Sequence, residues 1–138
     1  MPCQNDVLLM ISKHAQDVVG YFHNVEGDEL AYDAEGIAIL AETILDYRES
    51  LQPAIQDSLI GDFGAYLGEC IRRELGGEWE YIAGELYVRI LPNLVAYPFA
   101  QVEAQFRLGE IRSIARFFDT ISILRVIDRT HGDSPLLD

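Results

Sequence analysis

Three glycines interrupt a segment whose apolar residues are otherwise spaced for a helix. Ile60, Phe63, Leu67 and Ile71 recur at helical intervals, with Gly61, Gly64 and Gly68 set among them. Each such glycine costs a helix roughly 1 kcal/mol against alanine. Gly61, Ala65 and Gly68 fall within about 40° of one another on a helical wheel. That spacing predicts a bare seam which a neighbouring helix or a ligand approaches closely. Pro53 can open this helix at its first position, and Gly76-Gly77 should end it, Gly76 adopting the left-handed cap conformation.

Around this segment the periodicity is helical, then alternating, then helical again. A first helix is expected from Asn5 to His23, burying Leu8, Ile11, Ala15, Val18, Val19 and Phe22, with a polar loop over 24–32. A second should start near Asp33 and end before Pro53, burying Ile37, Leu40, Ala41, Ile44, Leu45 and Leu51. After the glycine pair, Trp79 and Tyr81 share one face of a strand over 78–82. Leu86, Val88 and Ile90 share one face of a second, and 94–97 reads as a third, with turns at Gly84 and Pro92-Asn93. A short helix over 99–108 would close at Gly109, and a last helix over 110–128 would bury Ile111, Ile114, Ala115, Phe118 and Ile121. The expected class is α+β: a helical N-terminal half, a three-stranded antiparallel meander, and C-terminal helices packed on the sheet. Residues 1–129 would form one domain and 130–138 a flexible tail.

The 138 residues are enough for a core without staples. The two cysteines form no framework, which fits a reducing compartment. The run Val7 to Ile11 is too short for a signal peptide or a membrane span. A cytoplasmic protein is expected, with no membrane partner.

The formal net charge of −13 is unevenly placed, because residues 1–62 carry only Lys13 and Arg48 as cations against twelve acids. Such a field repels phosphate backbones and excludes nucleic acid as a direct partner. Glu35, Glu42, Asp46 and Glu49 fall within about 40° of a common direction on the second helix. They read either as a solvated face or as a docking surface for a basic protein partner.

The stretch Gly64-Ala65-Tyr66-Leu67-Gly68-Glu69, with Arg72 and Gly76-Gly77-Glu78-Trp79, resembles a pattern in a family of small uncharacterised bacterial proteins. Asn93 to Phe99, Gly109 and Phe117-Phe118 would be the later matches, so the resemblance spans about residues 33–120. It implies a compact bacterial α+β domain and assigns no activity. Some such proteins resemble immunity or accessory proteins found beside secreted toxins.

Candidate chemistry is sparse. His14 and His23 lie on opposite sides of one helix and His131 in the tail, so no metal site and no cofactor are expected. Cys70 beside Ile71 reads as a half-buried hydrophobe rather than a nucleophile, and no catalytic residue is assigned. Glu69, Glu78 and Glu80 flank Trp79 and could line a carbohydrate-like cleft. Trp79, Tyr81, Tyr87 and Tyr97 form an aromatic set suited to cross-strand packing or to a binding surface. Glu69 and Arg73 form a helical pair worth about 0.3–0.5 kcal/mol if exposed.

Two functional readings follow. The first is a non-enzymatic interaction module, immunity-type in one form, whose Glu35, Glu42, Asp46 and Glu49 engage a basic partner. The second is a small-molecule site or enzyme at the helix–sheet junction using Glu69, Arg72, Trp79 and Asn93. A homodimer through an edge strand or the seam is a third.

Overall fold

Single residues set the helix boundaries in the N-terminal half. The computed structural model describes residues 4–132, with side chains over 5–127. Helix α1 (Gln4–Tyr21) runs on into a wide π-type turn, Phe22–Glu26, which Gly27 ends at φ 74°. The loop expected from residue 24 therefore begins later. Asp33 caps α2 (Ala34–Ser50), its Oδ1 accepting the Gly36 N–H at 2.9 Å. At the other end of α2, buried Gln56 donates to the Leu51 carbonyl at 2.8 Å and the Arg48 carbonyl at 3.2 Å. Pro53 opens α3 (Pro53–Leu75), and Gly76 closes it at φ 79°.

Strands β1 (Glu78–Ile82), β2 (Glu85–Leu91) and β3 (Leu94–Ala96) form an antiparallel meander in the order β1-β2-β3. Trp79 pairs with Val88 and Tyr81 with Leu86, so these four share one face with Ile90. The β1–β2 turn is two residues long. Gly84 sits at φ 79°, but Ala83 also takes φ 53°, where an L-residue is strained by roughly 1–2 kcal/mol. The Asn-Gly pair is preferred in such turns, so Ala83→Asn should stabilise the chain by about 0.5–1 kcal/mol. A urea midpoint that rises checks this, and one that falls contradicts the turn conformation.

Helix α4 (Pro98–Leu108) starts on its proline and closes at Gly109, φ 77°. The last helix does not begin at 110 as expected. Residues Gly109–Arg112 form a 3₁₀ turn, and α5 (Ile114–Gly132) starts after Ser113. The Ser113 hydroxyl accepts the N–H groups of Ala115 at 3.2 Å and Arg116 at 3.5 Å, the chemistry of an N-cap. The tighter turn puts Ile111 out of phase with α5, so this residue, expected in the core, is 74% exposed. Helix α5 extends beyond the boundary expected at 129, and residues 133–138 lie outside the described residues.

The fold is α+β: helices α1–α3, then the meander, then α4 and α5, the C-terminal helices joining α3 over the inner sheet face. Phe22, Ile37, Leu40, Ile44, Phe63, Leu67, Ile71, Val88, Val102 and Ile114 lie in one buried cluster. Fully buried Gln105 links three helices, donating to the Ala41 carbonyl and accepting the Ile114 N–H, both at 2.8 Å. A buried amide satisfied on both ends adds specificity without an unpaired polar group.

Candidate functional site

The glycine face of α3 is filled by side chains. A Cβ at Gly68 would overlap Cζ2 and Cη2 of Trp79 and stand 3.0 Å from Pro98 Cγ, and one at Gly64 would overlap the Phe99 ring. A Cβ at Gly61 would meet nothing within 4 Å. The seam expected at Gly61, Ala65 and Gly68 is therefore corrected to Gly64 and Gly68. One helical turn separates these two glycines, so they lie under neighbouring rings whose centroids are 5.9 Å apart. What approaches the glycines is a tryptophan from β1 and a phenylalanine from α4.

Trp79 brings its indole N–H with it, and a buried donor needs an acceptor. Glu69, one residue beyond Gly68, supplies it: Trp79 Nε1 donates to Glu69 Oε2 at 2.9 Å. The same carboxylate, only 5% exposed, accepts Arg72 Nε at 2.8 Å and Arg72 Nη2 at 3.2 Å, and lies 3.5 Å from Arg73 Nη2. Burial raises the pKa of Glu69, but the hydrogen bonds from Arg72 and Trp79 and the charges of Arg72 and Arg73 outweigh it. The carboxyl is held below its ordinary value. The Glu69–Arg73 pair therefore joins a buried carboxylate to a half-exposed guanidinium, so the value for an exposed pair does not apply. Arg73 also lies over the Tyr32 ring, 3.9 Å from its centroid.

Above this cluster is a cleft of about 480 Å³ lined by Leu8, Ser12, Glu69, Arg72, Arg73, Glu78 and Trp79. The structure brings together Glu69, Arg72 and Trp79 as expected. It leaves out Asn93, which is exposed in the β2–β3 turn and does not line the cleft. Leu8, Ser12 and Arg73 were missed as site residues. Leu8 and Ser12 are one turn apart on α1, and only the packing of α1 along α3 carries them to Arg72. That packing includes His14 Nδ1 at 2.7 Å from Asp62 Oδ1.

Two expected groupings do not form. Glu80 does not join Glu69: it stands beside Glu78 on the sheet face opposite Trp79, where it meets Arg89 Nε at 3.1 Å. The aromatic set splits in the same way, Trp79 packing on Phe99 while Tyr87 and Tyr97 pair at 5.6 Å. Cys70 is fully rather than half buried, and burial pushes its thiol up to about 12, far from a thiolate at neutral pH. Among the described residues no group of three His, Cys, Asp or Glu could hold a metal ion.

The acidic residues of α2 keep the placement their spacing implies. Glu35, Glu42, Asp46 and Glu49 are all exposed, on the side opposite Gly36, Ile37, Leu40, Ala41 and Ile44. Arg48 is largely drawn away from them. Its Nε donates to the Phe106 carbonyl at 3.0 Å and its Nη2 to the Arg107 carbonyl at 3.1 Å, which leaves Nη1 for Glu49 at 2.8 Å. Among the described residues Glu35, Glu42 and Asp46 have no ion pair. No described helix is long and apolar enough to cross a membrane. Comparison with family models, with curated proteins and with solved structures gives no significant match, so no relative's activity bears on these side chains.

Proposed function

We propose that this chain is a bacterial, cytoplasmic protein-interaction module whose α2 face receives a basic protein partner, an immunity-type role being one concrete form. The observation that carries this reading is the line of four exposed carboxylates, three of them without an ion pair among the described residues, on a chain of net charge −13. Arg48, the cation of the same helix, gives Nε and Nη2 to the C-terminal carbonyls of α4 and only Nη1 to Glu49. Such a surface steers and orients a cationic partner, and it repels phosphate backbones. The alternative of an enzyme has less support. Glu69 is wrapped by donors and ionised, so it makes a poor general acid, and Cys70 is buried as a thiol.

The test separates the stripe from net charge. One variant carries E35Q, E42Q, D46N and E49Q, and a control carries D17N, E74Q, E85Q and D119N at exposed positions elsewhere. Both change the formal charge equally. The probe is a synthetic helical peptide with arginine at every fourth position, titrated by fluorescence anisotropy at low and high salt. The stripe variant should weaken binding about tenfold and flatten its salt dependence, and the control should change it far less. Equal losses from both variants would show that net charge alone attracts the peptide and would remove α2 as the interface.

A further inference from the structure

Arg72 and Arg73 converge on one carboxylate. Arg72 commits Nε and Nη2 to Glu69, and Arg73 commits Nη2. Two guanidinium groups set against one buried carboxylate leave donors unused at the wall of the cleft. Arg72 Nη1 and Arg73 Nε and Nη1 have no protein acceptor among the described residues. The heads are nonetheless held in place: Arg72 is gripped through two of its nitrogens, and Arg73 is laid on Tyr32. Glu78 also lines the cleft without an ion pair to either arginine, so the lining as a whole is formally neutral while the unused guanidinium donors stay free. Leu8 and Trp79 supply apolar wall, and Ser12 a hydroxyl.

We infer that this cleft is a second binding site, independent of α2, and that it takes a carboxylate carried on an apolar body, such as a peptide C-terminus or a free hydrophobic acid. A planar carboxylate suits the unused guanidinium donors, whose fork geometry matches two oxygens. With Glu69 and Glu78 against Arg72 and Arg73 the lining is formally neutral, so a single negative charge is the most the free donors can hold. A phosphate dianion would bring a second negative charge against Glu78 and the acidic field of the whole chain. The apolar body would lie on Leu8 and the edge of Trp79. A volume of about 480 Å³ falls in the range of small-ligand sites.

Trp79 is the chain's single tryptophan, so its emission reads the cleft directly. The probes are N-acetyl-leucine, its uncharged analogue N-acetyl-leucinamide, hexanoate and inorganic phosphate. Each is titrated against the native chain by Trp79 emission and by the NMR shift of the Trp79 indole proton. N-acetyl-leucine should give a saturable change in both signals, and the amide should give none. The variant R73Q should weaken binding at least tenfold, with circular dichroism confirming that it folds. Hexanoate binding as tightly as N-acetyl-leucine supports the site and assigns it to free acids, whereas weaker hexanoate binding assigns it to peptide ends. Saturation by phosphate in preference to both carboxylates overturns the ligand class. No saturable response to any carboxylate, or equal responses to N-acetyl-leucine and its amide, overturns the site. Neither result depends on the stripe variants, so this inference and the α2 reading stand or fall separately.

Discussion

Gly68→Ala is expected to destabilise the fold by about 2 kcal/mol, although alanine is the better helix former by roughly 1 kcal/mol. The added methyl would overlap the outer ring of Trp79, and that ring is pinned by its partners. Its indole N–H is held on Glu69, Phe99 flanks it with centroids 5.9 Å apart, and Pro98 Cγ stands 3.0 Å from the new methyl. Either Trp79 loses its hydrogen bond to a buried carboxylate or β1 moves away from α3, and both outcomes open the core. Gly61→Ala is the matched control on the same helix. With nothing within 4 Å of its Cβ, it should gain most of the propensity term, up to about 1 kcal/mol. Urea unfolding of the two variants reads the difference, and a stabilised Gly68→Ala would mean that Trp79 does not occupy that face.

Glu69→Gln should cost about 2–3 kcal/mol near neutral pH. Breaking a buried ion pair is worth more, but Arg72 and Arg73 are about two-fifths exposed, so solvent screens part of the loss. The amide oxygen can still accept from Trp79, which makes the substitution chiefly one of charge. That gives it a pH signature. Because the folded carboxyl titrates below its ordinary value of 4.5, its ionised form is favoured by folding. The stabilisation is complete above the unfolded-state pKa and is lost as pH falls through the lower folded-state value. The gap between wild type and variant should therefore stay constant from about pH 8 down to about pH 5 and close as pH falls further. A gap that persists unchanged into acid would assign the loss to packing instead.

Much of the fold could be read from local chemistry, because its boundaries are set by residues that act alone. Asp33, Pro53, Gly76 and Gly84 terminate or turn the chain through their own backbones and side chains, and each does so where the spacing placed it. The alternation of Leu86, Val88 and Ile90 located the inner sheet face for the same reason. A serine ahead of Ile114, Ala115 and Phe118 has the chemistry of a cap, and Ser113 sets the start of α5 and leaves Ile111 outside the core.

The glycine face was harder. Wheel geometry groups Gly61 with Gly68, but which small residues lie under a neighbour depends on where Trp79 and Phe99 arrive from outside the helix. Gly36 shows the same limit, since its Cβ would run into the Tyr66 hydroxyl and the Ala31 carbonyl, partners from two other segments. The candidate site divides along this line. Glu69 and Arg72 are neighbours on α3 and could be paired from spacing, and Trp79 follows them closely in sequence. Leu8 and Ser12 come from α1, some sixty residues earlier, and only tertiary packing joins them to the cleft. Asn93 failed in the opposite sense, because a turn residue near the strands in sequence lies away from the cleft.

The central structural claim is that Trp79 lies in the glycine face of α3 with its indole N–H on Glu69, and acrylamide quenching of its fluorescence tests this most directly. As the single tryptophan, 5% exposed, it should be quenched several-fold less efficiently than N-acetyl-tryptophanamide under the same conditions. Quenching as efficient as that of the model compound would place the indole in solvent, and the packing of β1 on α3 and the Glu69 cluster would then both be wrong.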